Sequence, residues 1–131
     1  MQSFLMDLYQ IRPSQLYIDQ EKLERLKESF NPLNVRFNVP LPIKRNGGEV
    51  FLTDGHTRAL LYSEARISVI PVYWDMDDLD MALYQTCLDW CRKEKVVFID
   101  DLKDRILPHE QFVKQWIDRC TQAIKKENRD F

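Results

Sequence analysis

Leu52-Thr53-Asp54-Gly55-His56-Thr57-Arg58-Ala59 is the stretch whose reading decides the fold of this chain. Before it, Glu49-Val50-Phe51-Leu52 alternates and is rich in β-formers, the pattern of a half-buried strand. After it, Ala59, Leu60, Leu61 and Ala65 recur at helical spacing with no Pro or Gly between them. A tight polar corner therefore carries the chain from strand to helix. Gly55 supplies the backbone freedom for an abrupt turn or a close backbone approach. Asp54 or Thr57 can cap the new helix, whose first amides lack intrahelical acceptors and attract anions. Arg58 adds a planar, permanently charged fork suited to phosphate or carboxylate. The same residues also read as a capped turn with a solvated Arg and a satisfied His, because Asp-Gly corners are common. The chain contains neither a Walker-type loop nor a dinucleotide glycine fingerprint.

Outward from the corner, the elements alternate. Phe4 to Ile11 reads as a first strand, broken by Arg12-Pro13-Ser14. Gln15 to Ile18 fits one helical turn. Asp19 caps a helix over Gln20 to Phe30, with Leu23, Leu26 and Phe30 as its apolar stripe and a solvated charged face opposite. Val39 to Lys44 is a second strand, confined by Pro40 and Pro42 to an edge or a strand beginning. Asn46-Gly47-Gly48 turns it back as Glu49 to Leu52. Beyond the corner helix, Ile67 to Trp74 is apolar enough for a central strand, with Pro71 limiting pairing on one side.

Residues 77–131 change character. Leu79, Leu83, Cys87 and Trp90 mark an amphipathic helix from Asp77 to Lys93. Val96 to Ile99 is a packed connector or a small strand, followed by a short helix through Leu102 and Ile106. Pro108 opens a last helix with Phe112, Val113, Trp116, Ile117, Cys120 and Ile124 facing inward, and Lys125 to Phe131 forms a fraying tail. The expected organisation is an α+β unit over residues 1–76, with a helical extension over residues 77–131 packed on it.

With 44% hydrophobic and 31% charged residues, the composition is that of an ordinary globular chain. No run approaches the roughly 18 apolar residues of a membrane helix, and no secretory signal is visible. A cytoplasmic protein is expected, without a membrane role. A net charge of −2 argues against broad nucleic-acid binding, and acidic neighbours dilute Lys114, Lys125, Lys126 and Arg129 in the last helix. Three cysteines do not describe a disulfide framework.

The order β-α-β-β-α-β over residues 4–75 gives the corner a context. Ile11-Arg12-Pro13-Ser14-Gln15, Leu41-Pro42-Ile43, Asp54-Gly55-His56-Thr57-Arg58-Ala59 and Val69-Ile70-Pro71-Val72 together resemble the ParB/sulfiredoxin superfamily. That resemblance implies a small mixed sheet with helices, and a nucleotide or other phosphorylated ligand held by Gly55, His56, Thr57 and Arg58. Sulfiredoxins carry a nucleophilic cysteine where this chain has His56. Chromosome-partitioning members carry a Gly-Glu-Arg-Arg corner, of which Gly55 and Arg58 remain, and a helix-turn-helix not found here. The corner is most similar to that of the free serine kinases, which read Asp-Gly-His-x-Arg. On that likeness Asp54 and His56 would be catalytic, or would position phosphate and Mg²⁺. Those kinases place a Glu just after the Pro that ends the first strand, whereas Pro13 is followed here by Ser14-Gln15.

Three other constellations carry chemistry-bearing residues. Asp75-Met76-Asp77-Asp78-Leu79-Asp80 suits a divalent cation or the start of a helix, and reads as helix capping. Cys87, Cys91, Cys120 and His109 could assemble zinc if the long helices paired, but the cysteines fall on apolar faces and read as core, so no metal site is expected. Trp90 and Trp116 read as core; Tyr73 and Trp74 are the aromatics placed to meet a ligand. The leading expectation is a ligand-responsive or partner-binding module whose C-terminal helices meet a protein partner, with a homodimer also open. The alternatives are a Mg²⁺-dependent phosphotransferase using Asp54 and His56, and a DNA-associated accessory protein.

Overall fold

The computed structural model describes residues 2–129, an α+β fold with a mixed sheet and a C-terminal helical extension. In chain order the elements are β1 (Ser3–Asp7), β2 (Ile11–Arg12), β3 (Ile18–Asp19), α1 (Gln20–Ser29), β4 (Leu41–Asn46), β5 (Glu49–Leu52), α2 (His56–Glu64), β6 (Val69–Trp74), α3 (Met81–Lys93), β7 (Ile106–Leu107), α4 (His109–Phe112) and α5 (Asp118–Arg129). Five strands lie in the order β1-β6-β4-β5-β2. The β1/β6 and β4/β5 pairs are antiparallel, whereas β4/β6 and β2/β5 are parallel.

The first apolar run does not remain one strand. The Asp7 carboxylate accepts the Tyr9 amide at 2.9 Å, and Leu8–Gln10 tightens into a 3₁₀ turn that buries Leu8. β1 and β2 then occupy opposite edges of the sheet. In a flat sheet those edges would lie about 19 Å apart, four strand spacings. The chain from Asp7 to Ile11 reaches at most about 14 Å. The sheet must therefore curl, and the corner after β5 sits beside the returning β2.

Both prolines of the second predicted strand are accommodated at its start. Pro40 precedes β4 and Pro42 is its second residue, so β4 lies at the centre of the sheet and not at an edge. β6 is internal, as its composition predicts, and Gly47 at φ +60° makes the two-residue turn between β4 and β5. Asp19 caps α1 by accepting the Glu21 amide at 3.0 Å. Asp80 caps α3 by accepting from Leu83 at 3.0 Å, so that helix starts four residues later than its periodicity predicts. Asp80→Ala is expected to cost about 1 kcal/mol, measured as a shift in the urea midpoint. α2 and α3 end with Arg66 and Lys95 in the left-handed region, where the chain has no glycine.

The extension shares the core of the first part, with Cys87, Cys91, Val96, Ile99, Leu102 and Trp116 joining Leu16, Ile18 and Leu60. Trp90 and Trp116 meet edge to face at 6.0 Å. Two expectations change here. The helix predicted through Leu102 and Ile106 is a 3₁₀ segment, Ile99–Asp104, after which Ile106–Leu107 pairs in parallel with Ile18–Asp19. The turn predicted over Gln15 to Ile18 accordingly ends as strand, because the C-terminal segment offers it backbone partners. In the last helix, Phe112 and Trp116 are buried, but Ile117 and Ile124 are exposed. A π-helical turn over Val113–Ile117 shifts the phase of the stripe at that point. α5 continues through Arg129, past the predicted start of fraying at Lys125; residues 130–131 lie outside the described residues. No helix among the described residues is long and apolar enough to cross a membrane.

Candidate functional site

Gly55 makes the corner. Its φ of +83° lies in the left-handed region, and it stands at the N-cap of α2 with no side chain capping the helix. Neither Asp54 nor Thr57 takes the capping role open to them in the sequence: Asp54 is exposed and Thr57 is buried. The first amide to find a helical acceptor is that of Ala59, which donates to Gly55 O at 2.9 Å. The amides of His56, Thr57 and Arg58 have no acceptor among the described residues. Arg58, half-buried, folds back over the glycine, its Nη2 3.0 Å from where a Cβ on Gly55 would sit. Among the described residues no carboxylate pairs with Arg58.

His56 points the other way, into the fold. Only 4% of it is exposed, and its Nε2 accepts the Ser14 amide at 2.9 Å. Ser14 Oγ donates to Leu52 O at 2.6 Å, so one residue after Pro13 fastens both β5 and the start of α2. Burial pushes the His56 pKa down to about 4; Asp54 opposes the shift and Lys22, on α1, adds to it. At neutral pH the ring is uncharged, with its proton on Nδ1 while Nε2 accepts. Ser14 is the site residue that sequence reasoning passed over. Its only signal was its place behind Pro13.

The floor of the corner is braced from α3 and β6. Thr53 Oγ1 donates to Asp75 Oδ2 at 2.7 Å, and the Tyr84 hydroxyl on α3 donates to Thr53 O at 2.8 Å. Asp75 also accepts the Asp77 amide at 2.9 Å, while Lys44 Nζ reaches the carbonyls of Asp75 and Asp77. The acidic run thus braces and caps. Gln15 donates from Nε2 to Tyr17 O at 2.7 Å. Glu21 lies 3.6 Å from His109.

The remaining candidates separate. Cys87 and Cys91 are buried, and burial pushes the Cys91 thiol up to about 12. Contact with the Cys120 thiol, reinforced by burial, raises Cys87. His109 is drawn to Asp19, so Cys87, Cys91, Cys120 and His109 do not converge on a zinc site. Trp74 lies beneath Arg45 at 5.2 Å and beside a cavity of about 580 Å³ lined by Phe4, Tyr73 and Met76. A groove of about 520 Å³ runs between α3 and α5, past Trp90, Arg119 and Lys126. Residues 54–58 line neither.

No family model matches the chain, and no curated protein is similar to it. Among solved structures, the crystal structure of protein Atu1540 from Agrobacterium tumefaciens is similar at 12% identity with a TM-score of 0.47, over 75% of this chain and 50% of that one. The chain therefore spans half the length of that protein's chain.

Proposed function

We propose that this chain is a ParB/sulfiredoxin-like module that binds a nucleotide or another phosphorylated ligand at the Gly55–Arg58 corner, and that it acts by binding. The observation that carries this reading is the unpaired Arg58 guanidinium, folded over a left-handed glycine beside three amides without acceptors. Amides at a helix start and a guanidinium fork both favour a phosphate oxygen, and each lacks an anionic partner among the described residues. The α1-β4-β5-α2-β6 order around the corner agrees with what the resemblance implies. On this reading Arg58, the Gly55 turn and the amides of His56 and Thr57 hold the ligand, while the His56 ring and Ser14 position the corner. The module is cytoplasmic, and the groove between α3 and α5, lined by Trp90, Arg119 and Lys126, is its face for a protein partner.

The phosphotransferase reading retains exposed Asp54 as the acidic group to hold Mg²⁺ or take a proton. Gln15 cannot serve as a base, and the His56 Nε2 lone pair is committed to Ser14. A kinase would show Mg²⁺-dependent turnover that is lost in Asp54→Asn. The binding module shows ligand-induced stabilisation without turnover.

Thermal shift with CTP, ATP, ADP and GTP, each with Mg²⁺, tests the site. A ligand at ~100 times its Kd stabilises the folded state by roughly 2.7 kcal/mol. Arg58→Ala is expected to weaken that binding by roughly 1.5–3 kcal/mol, the scale of a charged hydrogen bond. Equal affinity in the variant would remove Arg58 from the site, and no shift with any of the four would end the nucleotide reading.

A further inference from the structure

The parallel pairing of β3 with β7 sets Asp19 opposite Leu107, two residues before α4 begins at His109. Two helix starts that are far apart in the sequence thereby share one spot. Asp19 is buried, with only 10% of its side chain exposed. Its Oδ1 is fixed by the Glu21 amide at 3.0 Å, which leaves Oδ2 facing His109 Nδ1 at 2.8 Å. Glu21 Oε2 lies 3.6 Å from the same nitrogen. These three donor atoms lie within 4.8 Å of one another, and among the described residues no Lys or Arg pairs with either carboxylate.

We propose that His109 Nδ1, Asp19 Oδ2 and Glu21 Oε2 form a binding site for a divalent transition-metal ion of the zinc class. Such an ion holds N and O donors at about 2.1 Å, so two of its ligands are about 3.4 Å apart in tetrahedral geometry and at most about 4.2 Å apart. The separations of 2.8 and 3.6 Å fall on either side of the tetrahedral value. Two carboxylates neutralise the double charge. An imidazole ligand favours Zn²⁺, Co²⁺ or Ni²⁺ over Mg²⁺ or Ca²⁺, which prefer all-oxygen sites. The Glu21 amide orients the Asp19 carboxylate from behind, as supporting shells do around metal ligands. Three protein ligands leave a fourth position open to water. The bound ion fastens the start of α4 to the start of α1, and with it the last helix to the first part of the chain. This site is independent of the phosphate corner.

Calorimetric titration of the chelator-treated full chain with Zn²⁺, repeated with Co²⁺ by visible absorption, tests the site. The expected result is one ion per chain, with a rise in Tm. Glu21→Gln should weaken binding at least tenfold and His109→Ala should abolish it, while Cys120→Ser leaves it unchanged. The side chains of Glu21 and His109 are 59% and 53% exposed, so neither substitution disturbs the core. No uptake by the wild type, uptake unchanged in Glu21→Gln and His109→Ala, loss in Cys120→Ser, or an equal response to Mg²⁺ would each overturn the proposal.

Discussion

Gly55→Ala is expected to destabilise the protein by about 2–5 kcal/mol, from two separable causes. The residue sits at φ +83°, and placing an L side chain in the left-handed region costs roughly 1–2 kcal/mol. The added methyl would also lie 2.8 Å from Leu41 Cδ2, and Leu41 is fully buried in the central strand. Overpacking of that kind typically costs about 1–3 kcal/mol, because the buried neighbour must leave its rotamer or shift the backbone. The second close neighbour, Arg58 Nη2 at 3.0 Å, is the end of a flexible chain and can move. Moving it takes the guanidinium off the corner, so phosphate binding should fall together with stability. Gly55→Val adds β-branching and should be worse on both counts. Urea unfolding of the wild type and both variants measures the effect, and an unchanged midpoint in Gly55→Ala would show that the corner is not packed this way.

Acidification should remove about 3 kcal/mol of stability through His56 alone. In the unfolded chain an imidazole takes up its proton below a pH of about 6.5. In the folded protein burial delays this step until about pH 4. Between those values the unfolded state binds more protons. The His56 contribution is therefore complete above about pH 6.5 and is lost as the pH falls towards 4. His56→Gln keeps an acceptor for the Ser14 amide but cannot take a proton in this range. Subtracting its stability–pH curve from that of the wild type isolates the ring from the carboxylates and His109. Parallel curves between pH 7 and 4 would mean that His56 is not buried in this way.

The two predictions act on neighbouring residues that the sequence presents alike. Asp54, Gly55, His56, Thr57 and Arg58 read as one polar corner, but the fold divides them by direction. Arg58 and Asp54 remain at least partly open to solvent, His56 turns inward onto Ser14, and Thr57 is buried. Local pattern cannot make that division, because it depends on what packs against the start of α2: the loop after Pro13 arrives there only once the sheet has curled. The same reason explains the halved first strand. Its apolar alternation is genuine, but the 3₁₀ turn after Asp7 sends the two halves to opposite edges.

What the sequence determined by itself was local in origin. The strand–corner–helix unit, the hairpin at Asn46-Gly47-Gly48, the cap at Asp19 and the α+β order follow from periodicity, turn chemistry and capping, which act over a few residues. Only the tertiary structure decided that β4 is central, that Ile106–Leu107 is strand and that the last helix changes phase at Val113–Ile117. It alone brought Asp19, Glu21 and His109 together. Each of these depends on backbone or side-chain partners from distant segments, and their free energy is gained only when the whole chain has packed.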